Sequence, residues 1–133
     1  YFSWVTYTSP EIATFGLSER DLEKRGAVYD KLLVSFEDDD RAIVDDYREG
    51  KMILFVSKKG TLLGGSMVAQ NAGELFQELV LANSAGLNVK SIFNKTYPYP
   101  TATRINKKII SDLFSKKLTD RNKKILQFMY GRF

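Results

Sequence analysis

A proline-rich segment places the strongest local constraint on this 133-residue chain. Residues 97–104 read Tyr-Pro-Tyr-Pro-Thr-Ala-Thr-Arg, with two prolines, two tyrosines and two threonines. Each proline fixes its own φ angle and pushes the residue before it, Tyr97 or Tyr99, toward an extended conformation. We therefore expect a stiff ribbon, called here the Tyr-Pro ribbon, that holds both phenol rings outward.

The Tyr-Pro ribbon leads into a pattern typical of a helix. Its predicted apolar face consists of Ile105, Ile109, Leu113 and Phe114. Thr101 or Thr103 can cap the start of this helix. A ribbon whose direction is set by the start of a helix could present groups to a ligand or a partner subunit. A loop that only connects two elements is the more common use of such a segment.

The composition is that of one globular domain, with 44% hydrophobic and 27% charged residues. The chain has no cysteine and no histidine. Their absence excludes disulfides, thiolate or imidazole metal sites, and Ser-His or Cys-His catalysis. No apolar run approaches the roughly 20 residues that span a bilayer. Because a reducing compartment suits such a chain, we expect a cytoplasmic location. The start at Tyr1 without an initiator methionine indicates a piece of a longer protein.

Four segments have the residue types of β-strands. They are residues 2–8, 27–37, 51–58 and 61–69. Lys58-Lys59-Gly60-Thr61 predicts a hairpin between the last two, and we expect the last three to form an antiparallel sheet. Gly64 and Gly65 lie inside the last strand, so we expect a bulge or a close backbone approach there.

Helix signals lie between and after these strands. Ser18 and Asp21 predict a capping box for a short helix over residues 19–25. Asn71 and Glu74 predict the same motif at the start of a core helix that ends at Gly86. We expect a helical turn within residues 87–94. Two amphipathic helices should follow over residues 105–133, separated near residues 118–120, where Thr119 or Asp120 can cap the second. The predicted fold class is α+β, an antiparallel β-sheet flanked by helices.

Charge is distributed unevenly along the chain. Residues 37–50 hold seven carboxylates but lack the ligand spacing of a calcium loop, so we predict a solvated acidic connection and no metal site. Lysines and arginines line the last two helices, which raises nucleic-acid or anionic-membrane binding as alternatives. We expect no nucleic-acid partner, because no recognised nucleic-acid module is present. Peripheral membrane contact remains a less favoured alternative to a solvated helix face.

Three motifs in order resemble the C-terminal dimerisation (interface) domain of FAD-dependent pyridine nucleotide-disulfide oxidoreductases. They are residues 8–19 (TSPEIATFGLSE), 63–75 (LGGSMVAQNAGEL) and 99–101 (YPT). The similarity spans about residues 2–108. It implies a single dimerisation domain over residues 1–133, in which residues 1–108 are the α+β core and residues 109–133 a C-terminal helical extension. The remaining tail is most similar to the mercuric-reductase-like branch.

The resemblance also implies a function. In this family, the other two domains bind FAD and NAD(P)H and carry the redox-active cysteines. The chain has neither a dinucleotide fingerprint nor a cysteine pair. Alone it should therefore bind no cofactor and be catalytically inactive, while in the parent enzyme it pairs with a second copy of itself. By resemblance, Tyr99, Pro100 and Thr101 lie near the partner's flavin, and Glu74, Tyr97, Pro98 and Tyr99 lie at the dimer interface.

The chain departs from the family at two positions. Dithiol-handling members carry His-Pro-Thr-x-x-Glu, whereas Tyr99 occupies the histidine position here and Arg104 the glutamate position. Tyrosine titrates near pKa 10 and arginine does not titrate, so this pair cannot relay protons as His-Glu does. Tyrosine suits the mercuric-reductase-like branch, but the C-terminal cysteine pair of mercury-reducing members is absent.

The residues that carry the resemblance also have alternative roles. By resemblance, we predict a cis Tyr99–Pro100 bond. Tyr97 and Tyr99 either contact the partner's flavin region or only pack the interface, and Glu74 more often serves a helix start than a site. The alternative to a dimerisation domain is a free-standing interaction module whose basic C-terminal helices bind an acidic partner.

Overall fold

The computed structural model describes residues 2–116 and 120–130. Its strands are β1 (Ser3–Thr6), β2 (Glu11–Gly16), β3 (Tyr29–Ser35), β4 (Lys51–Ser57) and β5 (Leu62–Ala69). Its helices are α1 (Glu19–Lys24), α2 (Asp40–Val44), α3 (Ala72–Leu75), α4 (Gln77–Ser84), α5 (Lys90–Asn94), α6 (Arg104–Lys116) and α7 (Asp120–Tyr130). The predicted cap Thr119 lies outside the described residues.

The strands form one antiparallel sheet in the order β1-β2-β5-β4-β3. This confirms the predicted α+β class and the hairpin between β4 and β5. Strand β2 is an addition, because residues 12–16 were assigned to no element from sequence. Its Ala13 and Phe15 are buried while Thr14 is not, which is the alternation of a strand with one face on the core.

A bulge in β5 confirms the prediction from the paired glycines. The β4–β5 register shifts between Phe55 and Val56, whose partners are Gly64 and Leu62. The backbone also passes very close to its neighbour here. A Cβ atom added at Gly64 would lie 2.1 Å from the carbonyl oxygen of Leu17, and only glycine avoids that clash.

The hydrophobic core lies between one face of the sheet and helices α3, α4 and α6. Leu54 of β4 and Met67 of β5 are fully buried on the sheet side, and Leu79 and Ile109 are fully buried on the helix side. The rings of Phe15 and Phe76 pack with centroids 4.9 Å apart. Helices α4 and α6 are therefore fixed on the sheet through their apolar faces, and the Tyr-Pro ribbon joins them by way of α5.

Both predicted helix starts are at the expected residues, but only one has the predicted capping box. The Ser18–Asp21 capping box is present at α1. At the second start, Asn71 has a left-handed φ of 57° and makes no capping hydrogen bond through its side chain. Glu11 of β2 acts there instead, since its carboxylate accepts a hydrogen bond from the Gly73 amide at 3.0 Å. The core helix is also interrupted at Phe76, which separates α3 from α4.

The acidic connection contains a short helix that the sequence analysis missed. Asp39 caps α2 by accepting a hydrogen bond from the Ala42 amide at 3.1 Å. In residues 2–116 and 120–130, no group of three or more carboxylates is arranged to hold a metal ion. Among the helices in these ranges, none is both long and apolar enough to cross a membrane.

Candidate functional site: the Tyr-Pro ribbon and its carboxylate anchors

The Tyr-Pro ribbon runs over the surface between α5 and α6. Its Tyr99–Pro100 bond is cis, as predicted, and Ser9–Pro10 is cis as well. Pro98 and Pro100 are exposed, and the Tyr99 side chain is 68% exposed. The hydroxyl of Thr101 donates to the Pro98 carbonyl at 2.8 Å, which closes the ribbon into a turn before α6. The ribbon tip is thus an accessible, internally bonded surface feature.

Tyr99 lies against charged groups of two other elements. Its hydroxyl donates a hydrogen bond to the Asp40 carboxylate of α2 at 2.9 Å, and the Arg104 guanidinium lies 4.9 Å from the ring centroid. Arg41 donates to the Pro100 carbonyl at 3.1 Å. The hydrogen bond to Asp40 and its negative charge raise the pKa of Tyr99. The phenol therefore stays protonated at neutral pH and can donate or stack, but it cannot act as a base.

Tyr97 points in the opposite direction, so the expectation that both rings project outward is wrong for this residue. Its ring packs against the hydrophobic core, and its hydroxyl donates to the Glu78 carboxylate at 2.7 Å. Glu78 belongs to α4, directly beneath the start of the ribbon. The half-buried carboxylate needs donors, which accounts for the inward position of the phenol.

Glu78 gathers three donors from the segments around it. Lys95 donates to Oε1 at 2.6 Å, and Tyr97 and Asn106 donate to Oε2 at 2.7 and 3.0 Å. Burial alone would raise the pKa of Glu78, but these three hydrogen bonds outweigh it and hold the pKa below its ordinary value. Burial and the neighbouring carboxylate raise the pKa of Tyr97 strongly. The carboxylate is therefore ionised and the phenol neutral across the physiological pH range.

Asn106 completes this group from the first turn of α6. It is fully buried, and its Nδ2 also donates to the carbonyl oxygen of Leu75 at 3.1 Å. The sequence analysis missed both Asn106 and Glu78. One signal was available for Asn106, since it lies within the buried stripe of Ile105, Ile109 and Ile110, where a polar residue requires a partner.

The predicted site residues fall into two groups. Tyr99, Pro100, Thr101 and Arg104 lie together at the ribbon tip. Glu74 lies exposed on α3, and the partly buried Tyr97 contacts Glu78 of α4. The predicted interface of Glu74, Tyr97, Pro98 and Tyr99 remains a prediction. The Arg104 guanidinium lies over the Tyr99 ring.

Comparisons with known proteins relate the sequence and the fold of this chain to one family. The family "Pyridine nucleotide-disulphide oxidoreductase, dimerisation domain" matches residues 2–109. A dihydrolipoyl dehydrogenase of Mycoplasma pneumoniae is 36% identical over 118 residues, which are 88% of this chain and 25% of that protein. A mercuric reductase of Streptomyces lividans is 33% identical over 99 residues, covering 73% of this chain and 21% of that protein.

A solved structure shows the same fold at lower identity. LpdA from Mycobacterium tuberculosis aligns with a TM-score of 0.78 at 21% identity, covering 84% of this chain and 25% of that chain. The present chain thus spans about a quarter of the length of the first relatives it matches. From the match over residues 2–109 and this shared fold, the chain belongs to the dimerisation-domain family of the pyridine nucleotide-disulphide oxidoreductases.

Proposed function

We propose that this chain is the homodimerisation domain of an FAD- and NAD(P)H-dependent oxidoreductase and that its Tyr-Pro ribbon completes the flavin site of the partner subunit. The observation that carries the proposal is the ribbon tip, where a hydrogen bond from Thr101 to the Pro98 carbonyl closes a turn that carries Tyr99 and Pro100 on the surface. A second copy is the partner that the family supports. FAD and NAD(P)H would bind to other domains of the parent chain, and residues 109–133 would form a helical extension of this domain.

In this role Tyr99 is a hydrogen-bond donor or a stacking surface. Its phenol remains protonated at neutral pH, because it donates a hydrogen bond to the Asp40 carboxylate, whose negative charge disfavours the phenolate. The parent enzyme should therefore catalyse a reaction that requires no acid-base group from the partner subunit, unlike exchange with a dithiol.

This chemistry supports placing the parent in the mercuric-reductase-like branch, although dihydrolipoyl dehydrogenases are also among the relatives. The sequence of the parent protein tests its membership of the family, because a redox-active cysteine pair and a dinucleotide fingerprint should precede this domain, and its activity tests the placement in the branch. Turnover of dihydrolipoamide by the parent at a rate typical of His-Glu enzymes would contradict it. We also propose a cytoplasmic location, which cell fractionation would test.

Mixed dimers test whether the ribbon acts across the interface. Wild-type subunits that carry flavin are paired with flavin-free subunits that carry Tyr99→Ala, so that the only flavin faces the altered ribbon. We expect its absorption spectrum to shift as it does in the Tyr99→Ala homodimer. The reverse pairing, with flavin only in the Tyr99→Ala subunit, should give the wild-type spectrum. Tyr7→Ala removes another exposed tyrosine and is the control.

Two results would contradict the proposal. One is a flavin spectrum that responds to Tyr99→Ala only within the same subunit, or in neither pairing. The other is a monomeric parent protein in sedimentation equilibrium. A monomer that binds an acidic partner, with an affinity that falls steeply as salt rises, would support the free-standing interaction module instead.

A further inference from the structure

One carboxylate holds both ends of the Tyr-Pro ribbon. Oε2 of Glu78 accepts hydrogen bonds from Tyr97, the first residue of the ribbon, and from Asn106, two residues beyond its end. Oε1 accepts from Lys95, which precedes the ribbon. The segment that carries Tyr99 is therefore hydrogen-bonded at both of its ends to a single side chain on α4.

Asn106 anchors this arrangement to the core. It is fully buried, and its Nδ2 donates both to Glu78 and to the Leu75 carbonyl. Its Oδ1 makes no hydrogen bond to any residue that the structure describes. An unpaired buried acceptor costs stability, and an apolar side chain would carry no such acceptor. Asparagine therefore fits a role in which its two donated bonds position a neighbouring group.

Contacts between exposed groups hold the ribbon tip, among them the hydrogen bond from Arg41 to the Pro100 carbonyl. Tyr99 contacts Asp40 and Arg104 at an exposed site, where hydrogen bonds compete with water. Because two prolines stiffen the segment between Tyr97 and Thr101, the orientation of the tip follows from the orientation of the base. A substitution at Glu78 should thus alter the orientation of Tyr99 even without a direct contact between the two residues.

We propose that Glu78 is a positioning residue, which sets the orientation of Tyr99, Pro100 and Thr101 by binding both ends of the Tyr-Pro ribbon. This inference rests on the proposed function, since the orientation matters only if the tip completes a partner's site. Glu78 itself touches neither a cofactor nor a substrate. It acts through Tyr97 and Asn106.

The test uses the full-length parent dimer with fluorotyrosine incorporated at position 99 and observed by fluorine NMR. We expect a single resonance from the wild type. In Glu78→Gln and in Tyr97→Phe, we expect this resonance to split or broaden, because the tip samples several orientations. Glu78→Asp keeps the negative charge and should restore part of the single resonance. Glu78→Gln, which removes the charge, should not.

The matched controls come from a second Tyr-Glu-Lys group on the sheet. Glu19 of α1 accepts hydrogen bonds from Tyr29 and Lys31 of β3. Glu19→Gln and Tyr29→Phe should leave the fluorine resonance of position 99 unchanged. If Glu78→Gln prevents folding, Tyr97→Phe decides alone, since it removes one hydroxyl and keeps the ring.

The outcomes separate this inference from the proposed function. A single, unshifted resonance in folded Tyr97→Phe and Glu78→Gln overturns the positioning role, even if Tyr99→Ala still shifts the partner's flavin spectrum. A dispersed resonance together with an unperturbed flavin in the mixed dimers supports the positioning role and overturns the proposed function. A broadened resonance in the Glu19→Gln or Tyr29→Phe control also overturns the positioning role, because the effect would then be general.

Discussion

Two groups in this domain have the same three residue types but different surroundings. Glu19 with Tyr29 and Lys31 lies where α1 meets the sheet, and Glu78 with Tyr97 and Lys95 lies where α4 meets the Tyr-Pro ribbon. The two lysine side chains are equally exposed, at 49%. The glutamates differ, with 37% exposure in the first group and 20% in the second.

The hydrogen bonds follow this difference in burial. Lys31 donates to both oxygens of Glu19 at 2.9 and 2.8 Å, and the Tyr29 hydroxyl is 3.4 Å from Oε1. At Glu78 the tyrosine bond is 2.7 Å, and Asn106 adds a third donor from the core. The first group is a surface ion pair with a weak phenol contact, whereas the second is a satisfied polar network in a partly desolvated site. We therefore expect burial rather than composition to decide how much such a group stabilises the fold.

The largest effect should come from Asn106→Asp, which replaces a donor with a carboxylate of the same shape beside Glu78. Two carboxylates would then face each other in a buried site, and we expect a loss of about 3–5 kcal/mol in the free energy of unfolding near neutral pH. The loss should shrink when acid protonates one of them. Urea unfolding of the chain at two pH values measures both effects, and a penalty independent of pH would show that charge repulsion is not the cause.

Glu78→Ala should have the next largest effect. It leaves the Tyr97 hydroxyl and the Asn106 amide without their shared acceptor, and we expect a loss of about 2–3 kcal/mol. Glu19→Ala removes the corresponding carboxylate from the exposed group and should cost much less, because water replaces it. Urea unfolding of both variants compares them directly. Equal losses would refute the role of burial in the comparison.

The sequence predicted what depends on local patterns. The Ser18–Asp21 capping box, the hairpin at Gly60 and the bulge at Gly64 all follow from residues close together in the chain. Each depends on the backbone conformation of a few residues that are neighbours in the sequence. The cis Tyr99–Pro100 bond followed from the family resemblance.

The sequence did not predict contacts between distant residues. Glu78 and Tyr97 are 19 positions apart, and Gly73 is 62 positions from the Glu11 side chain that binds its amide. The helix-start pattern therefore located the N-cap correctly at Asn71, but the side chain that accepts a hydrogen bond from the Gly73 amide is that of Glu11. For Tyr97, local stiffness predicted an exposed ring, but the buried acceptor on α4 determined its direction.

Acid should weaken the Glu78 group by a smaller amount than its removal does. Because the folded-state pKa of Glu78 lies below its ordinary value of 4.5, the stability it contributes is complete above that value and is lost as the pH falls through the folded pKa. Glu78→Gln should flatten this part of the pH dependence. Urea midpoints measured from pH 7 to about pH 3 test this, and an identical slope in both proteins would contradict it.

Salt should produce the smallest effect and should act on the exposed group. Screening shortens from about 10 Å at 0.1 M to about 3 Å at 1 M ionic strength, which weakens an exposed pair more than a buried one. We therefore expect the stability difference between wild type and Glu19→Gln to shrink as sodium chloride rises, while the difference for Glu78→Gln changes little. Thermal unfolding at low and high salt measures both differences. Equal salt sensitivity would mean that Glu78 is as solvated as Glu19, because only solvent exposure gives ions access to the pair.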